Sequence, residues 1–77
     1  MNNTFYIITS AEIKDSQIEY FSPYILTIRN ELTKARLYAK SEEGNFIPFV
    51  YRVKMNSKNY LTILSNIKIS FKRGKTK

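Results

Sequence analysis

Cationic side chains dominate the C-terminal half of this chain. From Gly44 to Lys77 there are eight Lys and Arg residues and no Asp or Glu, whereas the first 43 residues carry five cations and six carboxylates. The formal charge is −1 in the first part and +8 in the second, and the whole chain carries +7. Several cations without a competing carboxylate are suited to binding phosphate groups or an acidic surface, so the pattern predicts a partner of that kind.

Two segments of this basic half predict the strands of an antiparallel hairpin. Phe46–Met55 has one apolar face and one that runs from apolar to cationic, and Ile67–Arg73 alternates apolar residues with polar or charged ones, which is typical of strands. Tyr60–Arg73 as a whole is either one long strand with a bend or bulge at Ser65 and Asn66, or a short helix followed by the second of these strands. Pairing Phe46–Met55 with Ile67–Arg73 would place Arg52 and Lys54 on one face, together with the cations of the second strand. Lys58 would lie in the connecting turn.

Aromatic residues interleave these cations and could stack on unpaired bases. Tyr51 and Phe71 fall on the apolar strand faces and are expected in the core, so Phe46 and Tyr60 remain as the stacking candidates. The aromatic RNP signature, the GXXG clamp and the zinc knuckle are absent. The predicted residues for binding nucleic acid or a protein partner are Arg52, Lys54, Lys58, Lys68, Lys72, Arg73, Lys75, Phe46 and Tyr60, with Lys77 adding to the outer field.

Three carboxylates near the N-terminus form the second charged group. On a helix, Glu12, Asp15 and Glu19 would lie on one side, and three carboxylates could hold Mg²⁺. The preferred interpretation is a solvated acidic surface that pairs with the basic half.

Missing residue types exclude several classes of chemistry. The chain has no Cys and no His, which excludes disulfides, cysteine nucleophiles and ordinary zinc sites. Its two glycines are too few for a glycine-rich phosphate loop. A ribonuclease could use Lys, Arg and Tyr side chains instead of His, but no motif supports one, so we predict a non-enzymatic protein without metal or cofactor.

Three segments in the first half of the chain carry strand or helix signals. Thr4–Thr9 is aromatic and β-branched, and predicts a strand. Gln17–Phe21 reads as a short strand, with a helical turn after Ser10 as the alternative. Ser22–Lys40 predicts a helix, because apolar residues recur at i, i+3, i+7, i+10 and i+14 from Ile25 and a Pro follows Ser22.

These elements predict an α+β fold with one helix packed on a three- or four-stranded antiparallel sheet, in ββαββ or βαββ order. The alternative is a small all-β barrel of the SH3 or OB type, in which Ser22–Lys40 becomes two strands. Residues 1–73 are expected to form a single domain and residues 74–77 a basic flexible tail.

Composition also bears on location and source. No apolar stretch is long enough for a signal-peptide core or a membrane span, so we expect a cytoplasmic protein without a membrane partner. Phe, Ile, Lys, Asn and Tyr are abundant and have A/T-rich codons, which favours an A/T-rich genome such as that of a phage.

Two functional hypotheses follow from the charge pattern. In the first, the C-terminal half binds nucleic acid, as RNA or single strands, and neutralising about five phosphates gives a log–log salt slope of roughly −3.5 to −4.5. In the second, the chain is a phage-type inhibitor or adaptor that docks on an acidic surface of a host enzyme through the same cations and an aromatic anchor, Tyr51 or Tyr60. Both hypotheses allow a homodimer.

Overall fold

The computed structural model describes residues 4–42 and 44–69. Within these residues the chain forms five strands and one helix in βββαββ order, and the strands make one antiparallel sheet in the spatial order β2-β5-β4-β1-β3. The elements are β1 (Thr4–Thr9), β2 (Gln17–Glu19), β3 (Ile25–Arg29), α1 (Leu32–Ser41), β4 (Phe49–Ser57) and β5 (Tyr60–Ile67). The predicted combination of one helix with an antiparallel sheet is confirmed, although the sheet has five strands where three or four were expected.

The sheet curls into a half-barrel because its two edge strands are joined by a short connection. A flat five-stranded sheet would hold β2 and β3 about 19 Å apart. The connection makes two successive tight turns, in which Ser22 N–H donates to the Glu19 carbonyl (3.0 Å) and Ile25 N–H to the Ser22 carbonyl (3.2 Å). Each such turn spans less than about 7 Å, so the sheet bends to bring its edges together. The predicted alternative of a small all-β barrel is therefore matched only in the curl of the sheet.

The inner face of the curled sheet holds the larger apolar cluster. Buried residues from four strands meet there, and Ile25 and Ile28 of the edge strand β3 pack against them. The buried members are Ile7, Ile18, Tyr51, Val53 and Leu61.

Residues 10–16, which we call the crossing segment, run over this inner face between β1 and β2. Two of the hydrogen bonds that hold the segment reach the hairpin strands: Ile13 N–H donates to the Tyr51 hydroxyl (2.9 Å), and Ile63 N–H donates to the Ser16 carbonyl (2.8 Å). Ile13 packs against the inner cluster. The crossing segment therefore covers apolar surface that the half-barrel alone would leave open.

The Tyr51 hydroxyl is expected to contribute measurably to stability, because its ring is buried (2% exposed) and it is the acceptor for Ile13 N–H. Tyr51→Phe keeps the ring and leaves that N–H without its partner, which costs about 1–3 kcal/mol. Urea unfolding followed by circular dichroism measures the loss. Tyr24→Phe removes a hydroxyl from an exposed ring and serves as the matched control, and equal midpoints for the two variants would contradict the assigned role.

The predicted helix at Ser22–Lys40 was wrong in its first half. Ile25–Arg29 is a strand that pairs with β1, and α1 begins only at Leu32. The register slips between Ile8 and Thr9, so that Ile28 lies opposite Ile7 and Ile25 opposite Thr9. This bulge puts Ile25 and Ile28 against the same inner cluster in spite of their i, i+3 spacing. The spacing therefore imitated one turn of a helix.

α1 packs on the outer face of the sheet, against β1, β3 and β4. Ala35 and Ala39 are fully buried there beside Ile8 and Val50, and small side chains let the helix approach the strands closely. Glu31 is the N-cap residue and makes no side-chain capping bond. In the part of the chain that the structure describes, no helix is long and apolar enough to cross a membrane.

The C-terminal hairpin differs from the predicted one in its second strand. β4 begins at Phe49, after Pro48, which has no N–H to donate, and its hairpin partner is Tyr60–Ile67 rather than Ile67–Arg73. Lys58 does lie in the two-residue turn, as expected. Ser70 and the rest of the predicted second strand, with the 74–77 tail, lie outside the described residues.

Candidate nucleic-acid interface

The part of the outer sheet face that α1 leaves uncovered is the candidate interface, and we call it the open face. Strand register places its side chains: Arg52 is opposite Ser65, Lys54 is opposite Thr62, and Thr62 is opposite Gln17. Alternation along each strand adds the remaining members. The open face consists of Arg52, Lys54, Asn56, Tyr60, Thr62, Ser65, Gln17 and Glu19.

Arg52 and Lys54 are the two cations of the open face, and both are exposed on β4. They are two residues apart on β4, which separates their Cα atoms by about 6.8 Å. Their cross-strand neighbours on β5 are the hydroxyl residues Ser65 and Thr62. This part of the face therefore combines positive charge with neutral hydrogen-bonding groups, as phosphate binding requires.

Side-chain hydrogen bonds join residues of the open face that lie on β2, β4 and β5. The Asn56 amide Nδ2 donates to Gln17 Oε1 (3.0 Å) and to Thr62 Oγ1 (2.7 Å), and so joins side chains of β4, β2 and β5. At the β2 corner, the Tyr60 hydroxyl donates to Glu19 Oε2 (3.5 Å). The one carboxylate among the residues that define this face thus lies at its edge, beside a tyrosine.

Sequence reasoning missed a third cation, Arg29, because the predicted helix included it. In the sheet, Arg29 lies opposite Tyr6, which lies opposite Arg52, so the three occupy one row across β3, β1 and β4. Arg29 Nη1 donates to Thr27 Oγ1 and to the Ile28 carbonyl, and its guanidinium lies 5.4 Å from the centre of the Tyr38 ring. These contacts hold a half-buried cation in a fixed orientation next to the open face.

The other predicted residues are dispersed. Tyr60 is on the open face and is 39% exposed, whereas Phe46 is half-buried in the connection between α1 and β4, six residues before Arg52. Lys68 follows the end of β5 and lines a shallow pocket with Arg36 and Lys40 of α1. Lys72, Arg73, Lys75 and Lys77 lie outside the described residues.

The acidic residues surround a different cleft. Glu12 and Asp15 lie on the crossing segment, not on a helix, and with Glu19 they line a cleft of about 480 Å³ that also contacts Tyr24 and Tyr60. All three carboxylate residues are exposed, as a solvated surface requires. Across residues 4–42 and 44–69 no three carboxylates are grouped as metal ligands, so the Mg²⁺ hypothesis gains no geometric support.

Comparison of the chain with protein-family models, with curated proteins and with solved structures found no match. The functional assignment therefore depends on the geometry and charge of this chain itself.

Proposed function

We propose that this protein is a small non-enzymatic nucleic-acid-binding protein that binds RNA or single strands through its open face. The observation that supports the proposal is the pair Arg52 and Lys54, both exposed on β4 beside hydroxyl and amide residues of β5 and β2. Arg29 lies in the same row as Arg52, on the other side of Tyr6, and extends this positive surface to β3.

The geometry favours backbone binding to a flexible strand over readout of a duplex groove. The cations of the open face project from a sheet, and α1, at ten residues, is packed on that sheet through Ala35 and Ala39. A recognition helix presents its side chains to the major groove instead. Single strands suit a cationic sheet surface, because the phosphate backbone can follow it.

The test is a fluorescence-anisotropy titration of a labelled 16-nucleotide single-stranded RNA and a matched DNA duplex at several salt concentrations. Arg29, Arg52 and Lys54 would neutralise about three phosphates, which gives a log–log salt slope of roughly −2 for single strands. Each further cation from outside the described residues would steepen that slope by about 0.7. We expect Arg52→Gln with Lys54→Gln to flatten the slope by about 1.4. A slope near zero for the unaltered protein would contradict nucleic-acid binding.

A second candidate function, docking on an acidic surface of a host enzyme as an inhibitor or adaptor, uses the same cations. Of its two proposed aromatic anchors, Tyr51 is buried and cannot serve, while Tyr60 is accessible on the open face. The connection between β2 and β3 also exposes Phe21 (74%) and Tyr24 (54%), and exposed aromatic residues are enriched at protein interfaces.

Purified protein with more absorbance at 260 nm than at 280 nm would favour nucleic acid. A discrete host protein retained on a column of this chain, and lost with Tyr60→Ala, would favour docking.

A further inference from the structure

Three cationic residues line one pocket beside α1. Arg36 and Lys40 of the helix line a pocket of about 260 Å³ together with Lys68 and Ile69, which follow β5. Among residues 4–42 and 44–69, no carboxylate lines this pocket. Cations brought together in this way repel one another unless an anion lies between them, so the pocket is suited to a phosphate group.

A second pocket adjoins the first. It has a volume of about 310 Å³ and shares Lys68 and Ile69 with the cationic pocket. Its apolar wall includes Ile47, Pro48, Phe49 and Ile67, and Ile47 is 55% exposed. A planar apolar group could cover this wall while a phosphate attached to it contacts Lys68.

Polar groups at the rim of the second pocket suit the edge of a base. Glu12 supplies a carboxylate and Asn66 an amide, and carboxylate and amide side chains pair with the amino, imino and carbonyl groups of exposed base edges. Lys68 lies three residues beyond Ser65 of the open face, which corresponds to about 10 Å along an extended chain. A single strand could therefore reach both places.

We propose that these two pockets together form a site for one unpaired nucleotide, with the phosphate at Arg36, Lys40 and Lys68 and the base against Ile47 and Phe49. The inference builds on the proposed function and adds a reason for preferring single strands, because the bases of a duplex are stacked inside it. The open face then supplies general attraction to the backbone, and the helix side selects an unpaired nucleotide.

Amide chemical-shift mapping of the full chain tests the site with small probes. The probes are the four ribonucleoside 5′-monophosphates, the corresponding nucleosides and inorganic phosphate. We expect the monophosphates to shift amides in both pockets, around residues 36–40, 47–49 and 66–69, and inorganic phosphate to shift only the cationic group. Lys40→Gln with Lys68→Gln should weaken monophosphate binding about 10-fold or more, since two charge-assisted contacts to the phosphate are lost. Ile47→Ser should weaken it several-fold without altering the response to inorganic phosphate.

Two results would overturn the nucleotide site: monophosphates that bind no better than inorganic phosphate, or shifts confined to the open face. Its failure can be told apart from failure of the proposed function. Arg52→Gln with Lys54→Gln should weaken binding of the 16-nucleotide RNA and leave the monophosphate shifts near Lys68 unchanged. If those substitutions leave RNA affinity unaltered while the monophosphate shifts persist, the open face is not the interface and the nucleotide site stands alone.

Discussion

Reversing both cationic charges of the open face, by Arg52→Glu with Lys54→Glu, is expected to lower affinity for single-stranded RNA about 100-fold or more at 0.1 M salt. Each phosphate contact on a single strand contributes about 0.7 logarithmic units at this salt relative to 1 M, so losing two contacts costs about 25-fold. Two carboxylates facing the phosphate backbone add repulsion to that loss. Both side chains are exposed, so the fold should persist, and circular dichroism verifies that it does.

A matched control separates a local interface from general electrostatic attraction. Arg52→Glu and Lys14→Glu each lower the net charge by two units, but Lys14 lies on the crossing segment, beside Glu12 and Asp15. If the open face is the interface, Arg52→Glu weakens RNA binding by at least several-fold more than Lys14→Glu. Equal losses from the two single variants would show that only net charge matters, and would refute the interface.

The second large effect concerns the core: Leu61→Ala is expected to lower the free energy of unfolding by about 2–5 kcal/mol. Leu61 is fully buried and lies between Ile18 of β2 and Met55 of β4 on the inner face. A chain of this length has a total stability of roughly 4–12 kcal/mol. The substitution therefore removes a large share of it and leaves the weakly anchored, three-residue β2 without its main apolar contact.

Leu64→Ala on the same strand is the control, since it deletes the same atoms from a side chain that is 42% exposed at a bulge. Its expected cost is below about 1 kcal/mol. Urea unfolding measures the stability of both variants. Because the chain has no Trp, the transition is followed by tyrosine fluorescence or by far-UV circular dichroism. Equal unfolding midpoints for the two variants would show that the inner cluster does not form the core described above.

β1 and β2 were predicted as strands from sequence, and β3 was not. Thr4–Thr9 is a strand with the predicted bounds, and Gln17–Glu19 lies inside the predicted short strand. Ile25–Arg29 was assigned to a helix because its bulge changes the two-residue period to a three-residue spacing. That error also hid Arg29, whose place beside Tyr6 and Arg52 depends on the pairing of β3 with β1.

For the predicted binding residues too, positions that follow from alternation within one strand were predictable, and positions that depend on pairing between strands were not. Arg52 and Lys54 share a strand, so their common face followed from alternation alone. Lys68 was assigned to that face through a second strand with other bounds, and in the structure it follows β5 and lines a pocket with Arg36 and Lys40. A change of register moves every later side chain relative to its partner strand, and local sequence gives no measure of it.

The sequence by itself determined the charge division, the absence of thiol and imidazole chemistry, and the alternation that exposes Arg52 and Lys54. These properties depend on residue type and on nearest neighbours along the chain. The tertiary structure decided the curl of the sheet, the cover that the crossing segment gives the inner face, and the meeting of Arg36, Lys40 and Lys68. Those depend on pairings between residues far apart in sequence, whose energies come from burial in the complete fold and are not encoded in any one segment.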